Sequence, residues 1–264
     1  LKRIVLVATA VAMLIAAAVA LAATPINTYK ATVSFSPSSS GTAKKPQKIA
    51  FTQKFVVAPA TSGDRAGILL NITNTVYGVK VNVKGFPTCT IGTITAAGTD
   101  AGCPKGALVA KGSINAVLGS SSNFATSATA GTCNPNLDVW NAGQGKLAFF
   151  FVPTTTGAHA CLGGAIKTGQ VPPYPGTYKQ SGKNLVVKVP IPATVDYPSQ
   201  GLVGSLESET LNWKGQTVKG NTSIVSVACQ GSKRPYSNAF TATLPGQTPQ
   251  VTSVPGSAPC KASK

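Results

Sequence analysis

Apolar and polar residues alternate along much of this chain in short runs. The clearest is GVKVNVKG, where Val79, Val81 and Val83 fall on one side of an extended backbone and Lys80, Asn82 and Lys84 on the other. Such a segment buries one face and wets the other. Similar or β-branched runs occur in TYKATVSF, IAFTQKFVV, ILLNITNTVYGVKVNV, ALVAKGSINAVL, KLAFFFV, NLVVKVPIP, SLESETLNW and TVKGNTSIVSVA. Gly, Pro, Ser and Asn clusters separate them. LDVWNAGQGKLAFFFV reads as a hairpin around Gly143 to Gly145, and YSNAFTATL with QVTSV as another around Pro245 and Gly246. Beyond the first 22 residues no stretch keeps an apolar period of 3.6, so strands dominate the expectation. The pattern predicts an all-β fold: a two-sheet antiparallel β-sandwich of roughly a dozen strands. With 27 Gly and 19 Pro in 264 residues the many turns it needs are available, and all-β units of this length often form one domain, here residues 23–264.

The opening residues break this pattern. Lys2 and Arg3 precede an apolar run from Ile4, and Ala20, Leu21 and Ala22 supply an Ala-x-Ala cleavage pattern. Residues 1–22 are therefore expected to be an export signal, which makes the mature protein secreted or associated with the cell wall. The run is also long enough to span a bilayer, so contact with the membrane is expected only where the segment stays uncleaved.

Six cysteines in an exported chain read as a disulfide framework, for which the sequence allows 15 connectivities. Pairing sequence neighbours is the simplest choice. Cys89 and Cys103 bracket a short crossover between two β-like runs, and closing a loop of about 15 residues is worth on the order of 3 kcal/mol. Cys133 and Cys161 bracket the first hairpin, whose ends must meet. Cys229 and Cys260 would pin the second hairpin to the body. The crossover from Phe86 to Gly112 is rich in Gly, Thr and Ala, with few large apolar side chains (Phe86, Ile91, Ile94, Leu108, Val109), so its bridge is expected to hold it in place.

Charge narrows the function classes. Only 11% of residues are charged, against roughly 25% in average globular proteins, yet 23 Lys and Arg oppose 6 Asp and Glu for a formal +17. Almost all the cations are Lys. Only Arg3, Arg65 and Arg234 offer the planar fork that phosphate and base recognition favour, and no basic cluster is interleaved with aromatics. Nucleic acid is not the expected partner. A diffuse lysine field on an exported protein suits weak attraction to anionic envelope polymers or glycans, and it also keeps solvated strand faces apart.

Candidate chemistry is sparse. His159 is the single histidine, beside Cys161 in TTTGAHACLGG, with no partner motif for metal or nucleophilic work. Glu207 and Glu209 are the only close carboxylates in sequence, and their spacing on SLESETLNW predicts one shared strand face. A glycosidase needs carboxylates opposed across a sugar, which neighbours on one strand do not supply. Asp64, Asp100, Asp138 and Asp196 are scattered, so no carboxylate-built calcium site is expected. Trp140, Trp213, Tyr174, Tyr178 and Tyr236 would make a sugar-stacking platform if exposed, but strand aromatics of this size are expected in the core. No cofactor is expected.

Several segments together resemble one group of exported proteins. GTAKKPQKIAF, FPTC followed by GCPKGALVAKG, VWNAGQGKLAFFF, GKNLVVKVPIP, and ACQGSKRPYSNAFTAT with the terminal Cys260 are similar to a recurrent group of uncharacterised secreted proteins from Gram-positive-type soil bacteria. The sharpest shared element is P-x-C, then C-P-x-x-small, then a strand, over Pro87 to Gly112. The resemblance implies a β-rich exported domain and carries no activity with it. Two expectations follow. The favoured one is a monomeric, non-enzymatic protein acting by binding or structural presence at the bacterial envelope. The alternative is a secreted carbohydrate-binding module, or a glycoside hydrolase built on Glu207 and Glu209. The signal reading is tested by N-terminal sequencing of the protein from culture supernatant, which should start at Ala23; protein found only in membranes with residues 1–22 attached would make the segment an anchor.

Overall fold

The alternating runs form the strands of one large antiparallel sheet. The structure, a computed structural model, describes residues 24–122, 124 and 129–262, and the proposed signal segment lies outside them. The strands are β1 (Asn27–Ser36), β2 (Ala50–Pro59), β3 (Ile68–Tyr77), β4 (Leu108–Ser120), β5 (Thr129–Cys133), β6 (Asn136–Gly143), β7 (Lys146–Val152), β8 (Tyr174–Ser181), β9 (Asn184–Pro190), β10 (Leu202–Lys214), β11 (Lys233–Thr243) and β12 (Gln250–Pro259). They run across the sheet as β1-β2-β10-β4-β6-β7-β8-β9-β3-β11-β12, with β5 attached to β4. The fold is all-β, as the alternation predicts. The layers of the expected sandwich are the two halves of a single sheet that rolls over on itself.

The rolling brings the outer edges of β1 and β12 side by side without a backbone ladder between them. Side chains close the seam. The Gln250 amide donates to the Thr24 carbonyl at 2.9 Å and accepts from the Ile26 N–H at 3.1 Å. Behind the seam Tyr29 stacks flat on Phe240, ring centres 4.4 Å apart, and Phe55 meets Phe240 edge-on at 5.1 Å. Register shifts in the ladders at Leu206/Ser208, Leu108/Ala110 and Thr241/Ala242 add the local twist that such curvature needs. Inward residues of every other position, including Phe51, Phe55, Ile72, Val76, Leu137, Phe149, Val187, Leu211 and Phe240, fill the interior.

The ends are closed by short elements. The run through ILLNITNTVYGVKVNV is not one strand, because the chain turns at Gly78, where φ is +68° and a Cβ would sit 2.1 Å from the Ala228 carbonyl oxygen. Val79–Val81 then pairs with Ile224–Ser226, which also pairs with Gln47–Lys48, and this small sheet covers one end of the core. The other end is covered by the short helix α2 (Ala193–Asp196) and its flanking prolines. Buried Arg234 beneath the first end is held over the Phe35 ring at 4.2 Å and donates to the Ser226 hydroxyl, and burial lowers its pKa to about 10. Arg65 is likewise buried, donating to the carbonyls of Phe124 and Ser120, both at 2.7 Å. Neither guanidinium is presented to a ligand.

The crossover contains a helix that the apolar period does not reveal. Helix α1 (Ile91–Ala97) starts at Thr90, whose hydroxyl accepts from the Thr93 N–H at 3.2 Å, and ends at Gly98 in the left-handed conformation. Ile94 is fully buried beneath it, in a second cluster with Cys89, Ala107, Trp140, Ala148 and Phe150 on the outside of β6 and β7. Asn141 ties the segment down: its carbonyl accepts from the Cys89 N–H and its side chain donates to the Pro87 carbonyl, both at 2.8 Å. Three disulfides join Cys89 to Cys103, Cys133 to Cys161, and Cys229 to Cys260. Among the described residues no helix is long and apolar enough to cross a membrane.

One small cluster and one bridge therefore hold the crossover. Replacing Cys89 and Cys103 together by Ser should lower unfolding stability by about 3 kcal/mol and make residues 90–107 the first cut by protease. Equal protection of this segment in parent and variant would assign its order to the packing of Ile94 and Trp140 alone.

Candidate functional site

Strand pairing converts outward-facing residues into rows that run across the sheet. In β1, β2, β10 and β4 the cross-strand partners Ser34, Thr52, Asn212 and Lys111 form one such row, which continues to Asp138 on β6. A second row beside it runs Thr32, Lys54, Thr210, Ser113, Asn136. With strands about 4.8 Å apart, each row extends about 19 Å. The Thr52 hydroxyl donates to the Asn212 side-chain oxygen at 2.8 Å, and Lys111 lies 3.6 Å from Asp138. Along Ser34, Thr52, Asn212 and Lys111 of the first row, and Ser113 and Asn136 of the second, lies an open groove of about 640 Å³ that also takes in Lys214 and His159. Its lining sets hydroxyl, amide and ammonium groups, which bind sugar hydroxyls and anionic oxygens, beside the apolar Phe35, Phe51 and Trp213.

His159 forms part of the groove wall and is half-buried. The bridge from Cys133 to Cys161 ties its loop to β5. Its Nδ1 lies 3.0 Å from the Asn134 carbonyl oxygen. A carbonyl only accepts, so Nδ1 carries the proton and Nε2 is the free ring nitrogen.

The two signs of charge are sorted between surface and interior. Every described lysine is exposed, whereas Glu207 is the only acid of that class; Asp138, Asp196 and Glu209 are buried, and Asp64 and Asp100 are half-buried. Glu207 and Glu209 do not share a face. Glu207 is the extra residue of the bulge between Leu206 and Ser208, which leaves it in solvent and turns Glu209 into the interior. The spacing rule fails there because it assumes an unbroken pleat, and the opposed carboxylates that hydrolysis of a glycoside needs are not supplied by this pair.

Glu209 instead faces an internal cavity of about 80 Å³ that also receives Asp196 from α2 and Tyr174 from β8. Burial raises Glu209 to about 8 and Asp196 to about 7. Tyr174 is pushed well above its ordinary value, first by burial and then by the negative field of Glu209 and Asp196. The remaining acids are also less scattered than the sequence suggests. Asp100, on the crossover, accepts from the Trp140 indole N–H at 3.0 Å and lies beside Asp138. Burial raises the Asp138 carboxyl, Asp100 adds to the rise, and Lys111 opposes it.

The aromatic residues make no exposed platform. Trp140, Trp213, Tyr174 and Tyr178 are buried, Trp213 stacked on Phe51 at 5.6 Å, and Tyr236 is half-buried. No local motif marks the groove residues, and only the strand alternation could have found them, once the neighbours of each strand were known. No family model matches this chain, and no curated protein matches it in sequence.

The internal carboxyls predict a pH dependence. In the unfolded chain they lose their protons near pH 4, and in the folded protein they hold them to about 8 at Glu209 and about 7 at Asp196. The unfolded state thus releases protons first, so stability falls as pH rises from about 4 through the folded values and then levels off. Glu209→Gln should match the parent near pH 4 and exceed it near pH 9 by an amount of the order of a few kcal/mol, read from urea midpoints. A parent that is equally stable at both pH values would show Glu209 to be ionised inside the fold.

Proposed function

We propose that this is an exported, non-enzymatic protein that binds anionic polymers of the bacterial cell envelope along the outer groove. The observation that carries the reading is the pair of cross-strand rows in which hydroxyl and amide side chains accompany Lys111 and Lys54, with Lys214 beside them on β10, next to an open groove. An extended polymer can lie across several strands and meet the same kinds of group repeatedly. Long side chains of lysine follow irregular anion spacing as point charges, where arginine forks would demand planar geometry. The bridges suit an oxidising compartment outside the cytoplasm. The exposed lysines and buried acids give the whole surface a field that gathers polyanions before contact.

A neutral glycan would use the hydroxyl and amide groups of the same groove, and salt separates it from a polyanion. The mature protein can be sedimented with isolated cell walls carrying or stripped of their anionic polymers, at about 0.02 M and about 0.5 M salt. Binding should require the anionic polymers and be lost at high salt. Changing Lys111 and Lys214 together to Gln should weaken binding about five-fold or more, two partly exposed ion contacts being removed. Retention that ignores salt and tolerates the double variant, but falls on Thr52→Ala with Asn212→Ala, would transfer the reading to neutral glycans; retention that survives all four changes would remove the groove from it.

A further inference from the structure

The internal cavity is built unlike the rest of the core. Its wall is mostly aliphatic, including Leu69, Ile72, Ile114 and Leu206, yet two carboxyl groups open into it. Glu209 and Asp196 are each only 8% exposed; among the described residues neither side chain makes a hydrogen bond or ion pair, and the little surface their oxygens keep is consistent with facing the cavity. A buried carboxyl without a partner is expensive and uncommon. The Tyr174 hydroxyl lies in the field of both. No Lys, Arg or His lines the space, so an anion is repelled and nothing in the protein neutralises the pair.

The cavity lies close to solvent on one side. Ile191 and Asp196 line both it and a surface depression of about 310 Å³ that also includes Ile68, Leu70, Tyr197 and Leu244. Those two side chains are the partition between outside and inside, at the end covered by α2.

We infer that this cavity is a binding site for a small aliphatic ammonium ion. An ammonium group donates and does not accept, and the only polar side chains among the residues that line this space, Glu209, Asp196 and Tyr174, all present oxygen. The aliphatic chain would lie against Leu69, Ile72 and Ile114, removing apolar surface from water on both sides. Entry of the cation removes the penalty for ionising the carboxyl. Below the folded value of Glu209, about 8, binding of each ammonium releases up to one proton from Glu209 to solvent, and above it the carboxylate is already present, so affinity rises with pH to about 8 and then levels off while the amine stays protonated. The site is separate from the outer groove, and its test does not depend on polymer binding.

The test is an NMR titration of ¹⁵N-labelled mature protein with n-butylammonium, n-butanol and butyrate, read at the backbone amides of Ile114, Gly204 and Leu206. At about pH 8.5, where primary amines remain charged, n-butylammonium should give saturable shifts and the other two none. At about pH 6 its affinity should fall about a hundred-fold, each of the two pH units below the folded value of Glu209, about 8, being a factor of ten. Glu209→Gln should abolish the shifts and Asp196→Asn should weaken them, in spectra otherwise like the parent. The inference is overturned if n-butanol saturates the same amides as tightly, if ammonium binding persists unchanged in both variants, or if no probe gives a saturable shift at these amides.

Discussion

The constraint on which this structure depends is the pairing of strand edges. A sheet of this length carries two free edges, and an exposed edge is a template for association with another chain. Here the sheet is rolled until β1 and β12 lie together, and the contact is made by side chains. Gln250 serves one N–H and one C=O of the opposing chain, as a strand residue would. The Tyr29 and Phe240 rings stack behind it and exclude water. A seam of this kind closes the interior without the strict shear that a continuous hydrogen-bonded barrel demands. It leaves room for bulges to set the curvature locally, and one of these bulges redirects Glu207 and Glu209.

The disulfides tie segments outside the large sheet to its rim, Cys133 being the last residue of β5. Each joins segments that have few backbone partners of their own: the α1 crossover, the His159 loop, and the chain entering the last hairpin. Close approach of backbones does the corresponding work inside the sheet. At Gly112 a Cβ would fall 1.8 Å from the Thr210 carbonyl oxygen, so β4 and β10 meet there only because that side chain is absent. The rows of the outer groove cross this same pair of strands, and their alignment depends on it.

Much of the fold is legible in the sequence because alternation is a local property. Val79, Val81 and Val83 turn inward as their spacing predicts, although Gly78 has already broken the strand that leads to them. Helix α1 is too short for an apolar period, and its real markers are the Thr90 cap and the Gly98 stop. Single-sheet topology is not local, and neither is the site. Ser34, Thr52, Asn212 and Lys111 are far apart in sequence and become neighbours only through register. Glu209 and Asp196 line one cavity because α2 folds over the end of the sheet, which no spacing rule contains. The i, i+2 rule misplaces Glu207 for a related reason: a bulge is decided by both strands, and the spacing along one strand does not contain it.

The sorting of charge links the interior to the surface. A protein could balance many surface lysines with carboxylates beside them, which would favour solubility and shorten the reach of the field. This chain has only 6 acids, and the fold withdraws Asp138, Asp196 and Glu209 from solvent. Burial also holds Glu209, at about 8, in its neutral form at pH 7. Set apart from Lys2 and Arg3 of the opening segment, residues 23–264 carry a formal +15 (17 less 2), and a neutral Glu209 makes that +16. A buried acid pair is destabilising on its own, and a fold that keeps one must recover stability elsewhere, here in an aromatic core and three bridges. One arrangement then has two effects. It leaves Lys54 and Lys214 without a carboxylate partner among the described residues on the outer face, where the proposed polyanion would bind, and it places unpaired carboxyls in an apolar space that only a cation or a proton can satisfy.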